Sequence, residues 1–339
     1  MTSLTGTTYS VYRAIDNKIT PTPTNIPPLG PHDILLRITH SGVCYTDYEF
    51  HRFGALALGH EGVGTVVAIG PSVTTLKIGD RAGGGFHRSS CGTCRYCLTG
   101  RDILCASRTL YGLSDFDNGT FGQYFIGKEG HVHKIPDGMS SEDAAPLQCA
   151  GATVYAALME TVKPGDRVGV IGVGGLGHLA VQFARKMGCE VVVFSTSQNK
   201  EEEAREFGAG EFILLDEMEK ITAPVDVVVL TANRYPDWAR LLDNKVLARG
   251  GTIVPLAAPT HGPISLPAEK LTWDVYHLHS SLVASKAKHD EMLEFAARNG
   301  IKPAVQVYKF EGPETIEEIF QKLVENKVRY RAVLEFPSV

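Results

Sequence analysis

The sequence predicts an α/β fold with two domains, one rich in short β-strands and one built on a doubly wound parallel sheet. Three observations predict it. The chain has 339 residues, more than one hydrophobic core usually supports. Residues 1–150 divide into short β-rich segments punctuated by Gly and Pro, such as "DILLRITHSG" and "EGVGTVVAIG". From residue 151 onward, short apolar strands alternate with helical segments, which is typical of a parallel sheet.

The alternating region begins with the strand "GDRVGVIG" and an amphipathic helix, whose apolar residues recur at helical spacing: Leu176, Leu179, Ala180, Phe183, Ala184 and Met187. Strands and helices then follow in the order strand "CEVVVF", a polar helix over 199–207, strand "PVDVVVL", a helix around "DWARLLDNKVL", and strands "GGTIVPL" and "HLHSSLVAS". The segment 285–339 changes again, to two helices, "KHDEMLEFAARNG" and "ETIEEIFQKLVENK", and two strands, "VQVYKF" and "YRAVLEF". We expect this last segment to return to the first domain.

Composition and charge favour small-molecule chemistry. The formal net charge of -5 gives no general attraction to nucleic acid or to an anionic membrane. The opening "MTSLTGTTYSVYRAIDNKIT" lacks a basic region followed by an apolar one, and no apolar run is long enough to span a bilayer. Seven cysteines in so long a chain do not resemble a secreted disulfide framework. We therefore expect a cytoplasmic protein whose cysteines serve metal binding or catalysis.

Four of the cysteines fall within "SSCGTCRYCLTGRDILC", in the spacing CxxCxxCx7C: Cys91, Cys94, Cys97 and Cys105. Four thiolates suit a closed, tetrahedral structural zinc site. The alternatives are a redox CxxC, an iron–sulfur site and four free cysteines. A redox CxxC belongs near a βαβ pattern, and ferredoxins differ in their fourth spacing and in a following Pro. The cluster alone would also fit a zinc-ribbon protein that binds nucleic acid or a partner. That interpretation does not explain the glycine motif described next.

The second motif is "GVGGLG", a GxGxxG turn between a strand and a helix, and its residues are Gly172, Val173, Gly174, Gly175, Leu176 and Gly177. In this context the pattern predicts a dinucleotide site. Its glycines let the backbone approach a pyrophosphate at the helix N-terminus. The alternative is a glycine-rich turn without a ligand.

The end of the next strand predicts which dinucleotide binds. An NAD enzyme places Asp or Glu there to bind the ribose 2′-hydroxyl, but this chain has Ser195, Thr196, Ser197 and Lys200 instead. Hydroxyl groups and a lysine favour the 2′-phosphate of NADP(H). The alternative is that Ser195 and Ser197 are turn residues and Lys200 begins a solvated helix.

Together the motifs resemble those of the zinc-dependent medium-chain alcohol dehydrogenases, most closely the NADP-preferring, cinnamyl alcohol dehydrogenase-like branch. The likeness covers essentially the whole chain, through "SGVCYTD", "GHEGVG", the cysteine cluster, "PLQCAGATVYAAL", "GVGGLGHLAVQFARKMG" and "VRYRAVLEF" in the family's order. It implies a GroES-like catalytic domain over 1–150 and 285–339, a Rossmann coenzyme domain over 151–284, a cleft between the domains that holds the active site, and a homodimer.

The resemblance also implies a catalytic zinc bound by Cys44, His60 and Cys149, a ligand set that leaves one position open. It places Glu61 near the metal as an alternative ligand, and Asp47 as the carboxylate that orients His60. Spacing alone would not find Cys149, because a lone cysteine in an apolar segment is more often a buried hydrophobic residue.

Three further roles follow from the resemblance. Thr46 matches the hydroxyl that starts a proton relay, Arg331 an arginine that contacts coenzyme phosphate, and Thr153 a residue near the nicotinamide. Arg331 and Thr153 could instead be packing or surface residues. The implied activity is hydride transfer between NADP(H) and an aldehyde or primary alcohol, acting mainly as an aldehyde reductase.

The chain departs from the family beside the relay. Two histidines of the usual motif are replaced by Tyr45 and Glu49. Glu49 or His51 could pass the proton to solvent, or the relay could be absent. The segment from Cys44 to His60 is also shorter than usual, so we expect a reshaped substrate pocket. This change motivates an alternative activity, reduction of an iminium or a conjugated C=C bond.

Other residues have simpler explanations. His131 and His133 alternate as strand residues do, which favours packing over metal binding. His277 and His279 show the same pattern near a late strand, where they face the predicted cleft. Cys189 opens a strand after a helix and is predicted to be a core thiol.

Overall fold

The computed structural model describes residues 4–257 and 264–337. In chain order its strands are β1 (Thr8–Ile15), β2 (Lys18–Asn25), β3 (Asp33–Val43), β4 (Glu61–Ile69), β5 (Arg81–Gly85), β6 (His87–Ser89), β7 (Thr109–Leu110), β8 (Tyr124–Lys128), β9 (His133–Lys134), β10 (Arg167–Ile171), β11 (Glu190–Ser195), β12 (Glu211–Leu214), β13 (Val225–Leu230), β14 (Leu247–Pro255), β15 (His277–Leu278), β16 (Val305–Lys309) and β17 (Arg331–Glu335).

The α-helices are α1 (Tyr45–Phe50), α2 (Arg95–Leu98), α3 (Ser141–Pro146), α4 (Ala152–Thr161), α5 (Gly177–Lys186), α6 (Glu201–Glu206), α7 (Trp238–Leu241), α8 (Ala268–Trp273), α9 (Lys286–Asn299) and α10 (Pro313–Val324). Shorter turns of 3₁₀ helix lie at His51–Phe53, Asp102–Leu104, Glu129–His131, Gln198–Lys200 and Leu215–Lys220, and a π-turn at Leu147–Gly151. None of the helices in the described parts of the chain has the length and apolar character needed to cross a membrane.

The chain forms two compact units. The first runs to Ala152 and resumes over Ser285–Ala297 and from Pro303 onward, and the second is Thr153–Ala284 with Arg298–Lys302. The first division lies two residues beyond the predicted one, and the segment after residue 284 contributes mainly to the first unit. Within that segment Arg298–Lys302 groups with the second unit instead.

The first unit is built on a seven-stranded mixed sheet. Its strand order is β16-β17-β3-β4-β5-β9, and β8 pairs with β3. The return segment enters this sheet because β17 pairs antiparallel with β3, with Ala332 opposite Val43. Inward-facing apolar residues of these strands pack with Ile316, Ile319 and Phe320 of α10 to form the core of the unit.

The second unit contains a six-stranded parallel sheet in the order β12-β11-β10-β13-β14-β15. Numbered along the chain, this is the doubly wound order 3-2-1-4-5-6, so the predicted fold class is confirmed. All five residues of β10 are buried, as expected for a central parallel strand that is covered on both faces.

Two predicted elements are shorter than expected. The helix predicted around "DWARLLDNKVL" is only Trp238–Leu241, because the Asp243 carboxylate accepts from the Lys245 amide and begins a turn. The strand predicted as "HLHSSLVAS" is only His277–Leu278, which pairs with β14 alone at the edge of the sheet. The polar residues that follow gain nothing from extending an exposed edge.

Candidate active site

Four side chains of the first unit converge on one point. Cys44 precedes α1, His60 precedes β4, Glu61 begins β4, and Cys149 lies in the π-turn. One ligand atom from each lies within 4.8 Å of the others. The fold thus brings together the three predicted zinc ligands and the predicted alternative ligand.

Asp47 holds this group in place from the first turn of α1. Its carboxylate is fully buried and accepts from Nδ1 of His60 at 2.8 Å, from the Tyr111 hydroxyl at 2.8 Å and from the Cys44 amide at 3.0 Å. The Tyr111 ring also stacks on the His60 ring, with centroids 4.6 Å apart. Asp47 therefore fixes the tautomer and the orientation of His60. Tyr111 was not predicted, because "TLYGLSD" carries no signal of such a role.

The environment of His60 suits a bound cation. Its Nε2 atom is buried and has no hydrogen-bond partner. Burial alone would lower the pKa of His60, but Asp47 and Cys44 raise it to about 10. The Cys149 thiol and the His60 ring also hold the pKa of Cys44 well below its ordinary value. A thiolate beside an unpaired imidazole nitrogen fits a zinc ion.

Glu61 makes an ion pair inside the same unit. Both of its carboxylate oxygens accept from Nη2 of Arg331, in β17, and both side chains are buried. Oε1 of Glu61 lies 4.0 Å from Nε2 of His60. Arg331 therefore lies directly behind the candidate metal position. Its predicted contact with coenzyme phosphate stays a prediction.

The segment predicted to carry the proton relay is partly accessible. The Thr46 hydroxyl lies 3.6 Å from Sγ of Cys44. Burial raises the pKa of the half-buried Glu49 carboxyl. Nδ1 of His51 bonds to the Tyr48 carbonyl, and the two rings stack, so that side of His51 is occupied.

The four sulfurs of the cysteine cluster lie within 4.8 Å of one another. Sγ of Cys91 lies 3.5 Å from that of Cys105 and 3.9 Å from that of Cys97, and Cys94 lies 3.6 Å from Cys97. Zinc–sulfur bonds of about 2.3 Å in a tetrahedron place sulfurs about 3.8 Å apart. All four cysteines are free of disulfides, and backbone amides of Cys91 and Cys94 point at neighbouring sulfurs. The residues fit a closed zinc site.

The glycine turn of the second unit has the shape that a dinucleotide needs. Gly172 has a positive φ of 91°, and a Cβ on Gly177 would lie 1.9 Å from the Gly172 carbonyl oxygen. A Cβ on Gly174 would meet nothing within 4 Å, so that backbone is open to a ligand. The Thr231 hydroxyl holds the turn by donating to the Gly172 carbonyl at 2.7 Å. The N-terminus of α5 follows directly and favours a bound pyrophosphate.

The residues predicted to bind a 2′-phosphate lie beside this turn. Nζ of Lys200 donates to the Val173 carbonyl at 2.9 Å, which brings the ammonium group to the glycine turn. The Ser195 hydroxyl bonds to the backbone of Ser197, and the Ser197 hydroxyl donates to Asn199 at 2.7 Å. Thr196 follows β11 directly. Thr153, the other predicted coenzyme contact in this unit, is buried in the first turn of α4.

The remaining histidines differ in their surroundings. His133 lies on β9 as predicted, hydrogen-bonds to Asp290 at 2.7 Å and stacks on His289. His131 ends a 3₁₀ turn, so the prediction of a strand position was wrong; a neighbouring backbone turn broke the alternation. Burial lowers its pKa to about 3. Nε2 of His279 lies 3.0 Å from Glu160, and His277 is exposed. Cys189 is buried, as predicted.

Comparison with known families gives two matches. Residues 30–137 match the alcohol dehydrogenase GroES-like domain, and residues 175–323 match the zinc-binding dehydrogenase family. Together they cover more than half of the chain and both of its units.

Individual proteins extend these matches to nearly the whole chain. It is 37% identical to a probable formaldehyde dehydrogenase of Bacillus subtilis, over 92% of each chain. It is 32% identical to an NADP-dependent alcohol dehydrogenase of Mycolicibacterium smegmatis, also over 92% of each. Among solved structures it is similar to a cinnamyl alcohol dehydrogenase of Sorghum bicolor, with a TM-score of 0.88, 29% identity and 97% coverage of each chain.

Proposed function

Because the chain belongs to the zinc-binding medium-chain alcohol dehydrogenase family, and is thus an oxidoreductase of alcohols and aldehydes, we propose that it is an NADPH-dependent aldehyde reductase. We assign it to the NADP-preferring, cinnamyl alcohol dehydrogenase-like branch. We further propose that each chain holds one catalytic zinc, at Cys44, His60 and Cys149, and one structural zinc, at the four-cysteine cluster.

One observation carries the catalytic assignment. The ligand atoms of Cys44, His60, Glu61 and Cys149 lie within 4.8 Å of one another, and the metal-facing Nε2 of His60 is buried without a partner. Three of these residues form the Cys–His–Cys set that leaves a position open for a substrate oxygen. The four-cysteine cluster has no such open position, so it supports the fold and not the chemistry.

Each residue around the candidate zinc site has its own role in the proposed reaction. A zinc ion at this site supplies Lewis-acid polarisation of the substrate carbonyl, and the nicotinamide supplies the hydride. Asp47 orients His60 through their 2.8 Å hydrogen bond. Thr46, whose hydroxyl lies 3.6 Å from Cys44 Sγ, delivers a proton to the developing alkoxide. Glu49, whose pKa is raised by burial, takes a proton from solvent to replace the one that Thr46 gives up.

We propose that Glu61 is an alternative zinc ligand whose carboxylate is held by Arg331. In the structure the arginine binds both carboxylate oxygens, while Oε1 lies 4.0 Å from Nε2 of His60. With zinc bound at Cys44, His60 and Cys149, Glu61 would offer a further carboxylate oxygen beside it, and Arg331 would balance the buried charge of that carboxylate.

The preference for NADPH rests on Ser195, Ser197 and Lys200. Residues 196–200, directly after β11, contain no carboxylate to bind a ribose 2′-hydroxyl, and the Lys200 ammonium lies at the Val173 carbonyl of the glycine turn. The similarity to a relative named as NADP-dependent supports the same preference. Homodimerisation remains a prediction of the family resemblance.

The test is turnover of NADPH by the zinc-loaded protein with a panel of simple and cinnamyl-type aldehydes, an iminium and an enone. We expect NADPH oxidation with aldehydes, and lower efficiency with NADH. Cys44→Ser, which keeps the structural zinc, is the matched inactive control. Turnover of the iminium or the enone without aldehyde turnover would overturn the proposal in favour of the alternative reductase.

A further inference from the structure

A third group of metal-binding side chains lies in the first unit, apart from the two zinc sites. His87 lies on β6, Asp102 begins the 3₁₀ turn that leads to Cys105, and His131 ends the 3₁₀ turn before β9. One ligand atom from each lies within 4.8 Å of the other two. All three residues are more than nine-tenths buried, with exposures of 8%, 7% and 8%.

The distances within this triad do not fit hydrogen bonds. Oδ2 of Asp102 lies 3.4 Å from Nδ1 of His87 and 3.7 Å from Nε2 of His131. The hydrogen-bonded His–Asp pairs elsewhere in this unit, His60–Asp47 and His133–Asp290, are 2.8 and 2.7 Å apart. Two imidazoles therefore face the same carboxylate oxygen at longer range.

The 3.4 Å distance fits two ligands of one ion, and the 3.7 Å distance is slightly longer than such a spacing. Nitrogen and oxygen bound to zinc at about 2.0–2.1 Å in a tetrahedron lie about 3.3–3.4 Å from each other. Nε2 of His131, the nitrogen that faces Asp102, is buried without a hydrogen-bond partner, and so is Nδ1 of the same ring. Since a buried polar nitrogen costs stability unless something binds it, His131 has an unmet demand beside Asp102. We infer that His87, Asp102 and His131 bind a third metal ion, a divalent transition metal of the zinc type.

The surroundings give the ion support and access. Both carboxylate oxygens of Asp102 accept from the backbone amide of Lys286 at the start of α9, at 3.2 and 3.1 Å. Asp102 and His131 line an open cavity of about 540 Å³ that also reaches Cys97. Nearby cations are directed elsewhere: the Lys286 ammonium binds Asp290 at 2.6 Å, and Arg108 binds the Ile103 carbonyl.

The position of the triad gives the ion a structural role. Asp102 belongs to the segment that carries the cysteine cluster, whereas His87 and His131 belong to the body of the unit. An ion held by all three would tie the base of that segment to β6 and to the turn before β9. A water from the cavity would complete its coordination.

The test uses Co²⁺ as the probe, because the three sites differ in sulfur. Protein with zinc in both cysteine-containing sites is titrated with Co²⁺ and followed by absorption spectroscopy. We expect one equivalent to bind with visible d–d bands and without the near-ultraviolet thiolate-to-cobalt band, because this triad contains no cysteine. His131→Asn and Asp102→Asn should each reduce the bound cobalt from one equivalent to none.

The matched control is His32→Asn, the same substitution at an exposed histidine that lines the same cavity outside the triad. It should bind one equivalent like the unmodified protein. Retention of two zinc ions and an unchanged circular dichroism spectrum would show that the variants are folded. Absence of the sulfur-free cobalt spectrum, or equal binding by His131→Asn and the unmodified chain, would overturn the inference. So would a thiolate band, which reports exchange into the cysteine sites.

Discussion

Arg331 and Glu61 form a buried ion pair between β17 and β4, in which one guanidinium nitrogen binds both carboxylate oxygens. The residues are 270 positions apart in the sequence, and their side chains are 6% and 0% exposed. Burial alone would lower the pKa of Arg331, but the Glu61 carboxylate more than offsets this, so the arginine stays charged. The return segment therefore supplies the countercharge to the Glu61 carboxylate, beside the candidate zinc site.

Arg331→Met should destabilise the first unit by about 3–5 kcal/mol, because it leaves the Glu61 carboxylate buried and unpaired. The Arg331→Met/Glu61→Gln double variant should recover part of this loss, since it removes the stranded charge. Denaturant unfolding of the zinc-loaded variants, with zinc content measured for each, checks the expectation. A double variant that is less stable than the sum of the two single changes would contradict it.

Thr46→Val should lower kcat by about a hundredfold or more, because it removes the hydroxyl that donates the proton. Thr46→Ser keeps that hydroxyl and should retain most of the activity. Both variants should keep their zinc, since Thr46 is not a ligand. Steady-state rates with NADPH and a reactive aldehyde, beside metal analysis, make the comparison. If Thr46→Val and Thr46→Ser are equally impaired, the hydroxyl is not the proton donor.

Lys200→Gln should weaken NADPH binding by about 10–100-fold, because a charged hydrogen bond contributes about 1.5–3 kcal/mol. NADH lacks the 2′-phosphate and should bind almost unchanged, so it is the internal control. Ser197→Ala should act in the same direction with a smaller effect. Equilibrium binding of both coenzymes followed by fluorescence measures the two constants. Equal losses for NADPH and NADH would mean that Lys200 only stabilises the glycine turn through Val173.

Much of the second unit could be predicted from the sequence because its signals are local. The strand, turn and helix around Gly172–Gly177 are contiguous, and fully buried parallel strands are continuous apolar runs. Predictions failed where the length of a helix or strand depends on the elements that pack beside it. The strand at His277–Leu278 ends after two residues because it lies at an edge, which no local pattern records.

The candidate site could be predicted only in part. Cys44, His60 and Cys149 lie far apart in the sequence, and the family resemblance brought them together where spacing could not. Tyr111 was missed because its role depends on Asp47, 64 positions away. For the same reason the sequence favoured packing over metal binding for His131 and did not connect it with His87 and Asp102. These residues lie on three separate turns and strands, and no repeated spacing connects them.

The two cysteine-containing zinc sites should respond differently to single substitutions. Cys44→Ser should abolish turnover and leave the fold intact, because it removes a ligand beside the open position. Cys94→Ser should mainly destabilise the protein, because it opens a closed site. Metal analysis of chains dialysed until only the sulfur-bound ions remain should give two zinc ions in the unmodified chain and one in each variant. A full zinc complement in Cys44→Ser would contradict the catalytic assignment.

Cys189 provides a test of pH dependence that is independent of metal. Its thiol is buried at the start of β11 and donates to the Lys163 carbonyl at 3.6 Å. Burial raises its pKa from 9.0 to about 11, so the reactive thiolate forms only at a higher pH than in an exposed cysteine.

In the native protein we expect iodoacetamide to label Cys189 far more slowly than in the unfolded chain. The native labelling rate should still be rising above about pH 10, where that of the unfolded chain levels off. Mass spectrometry of the labelled peptides separates Cys189 from the six cysteines proposed as zinc ligands. Native labelling that levels off near about pH 10, as in the unfolded chain, would show that the thiol is accessible and that its predicted place in the core is wrong.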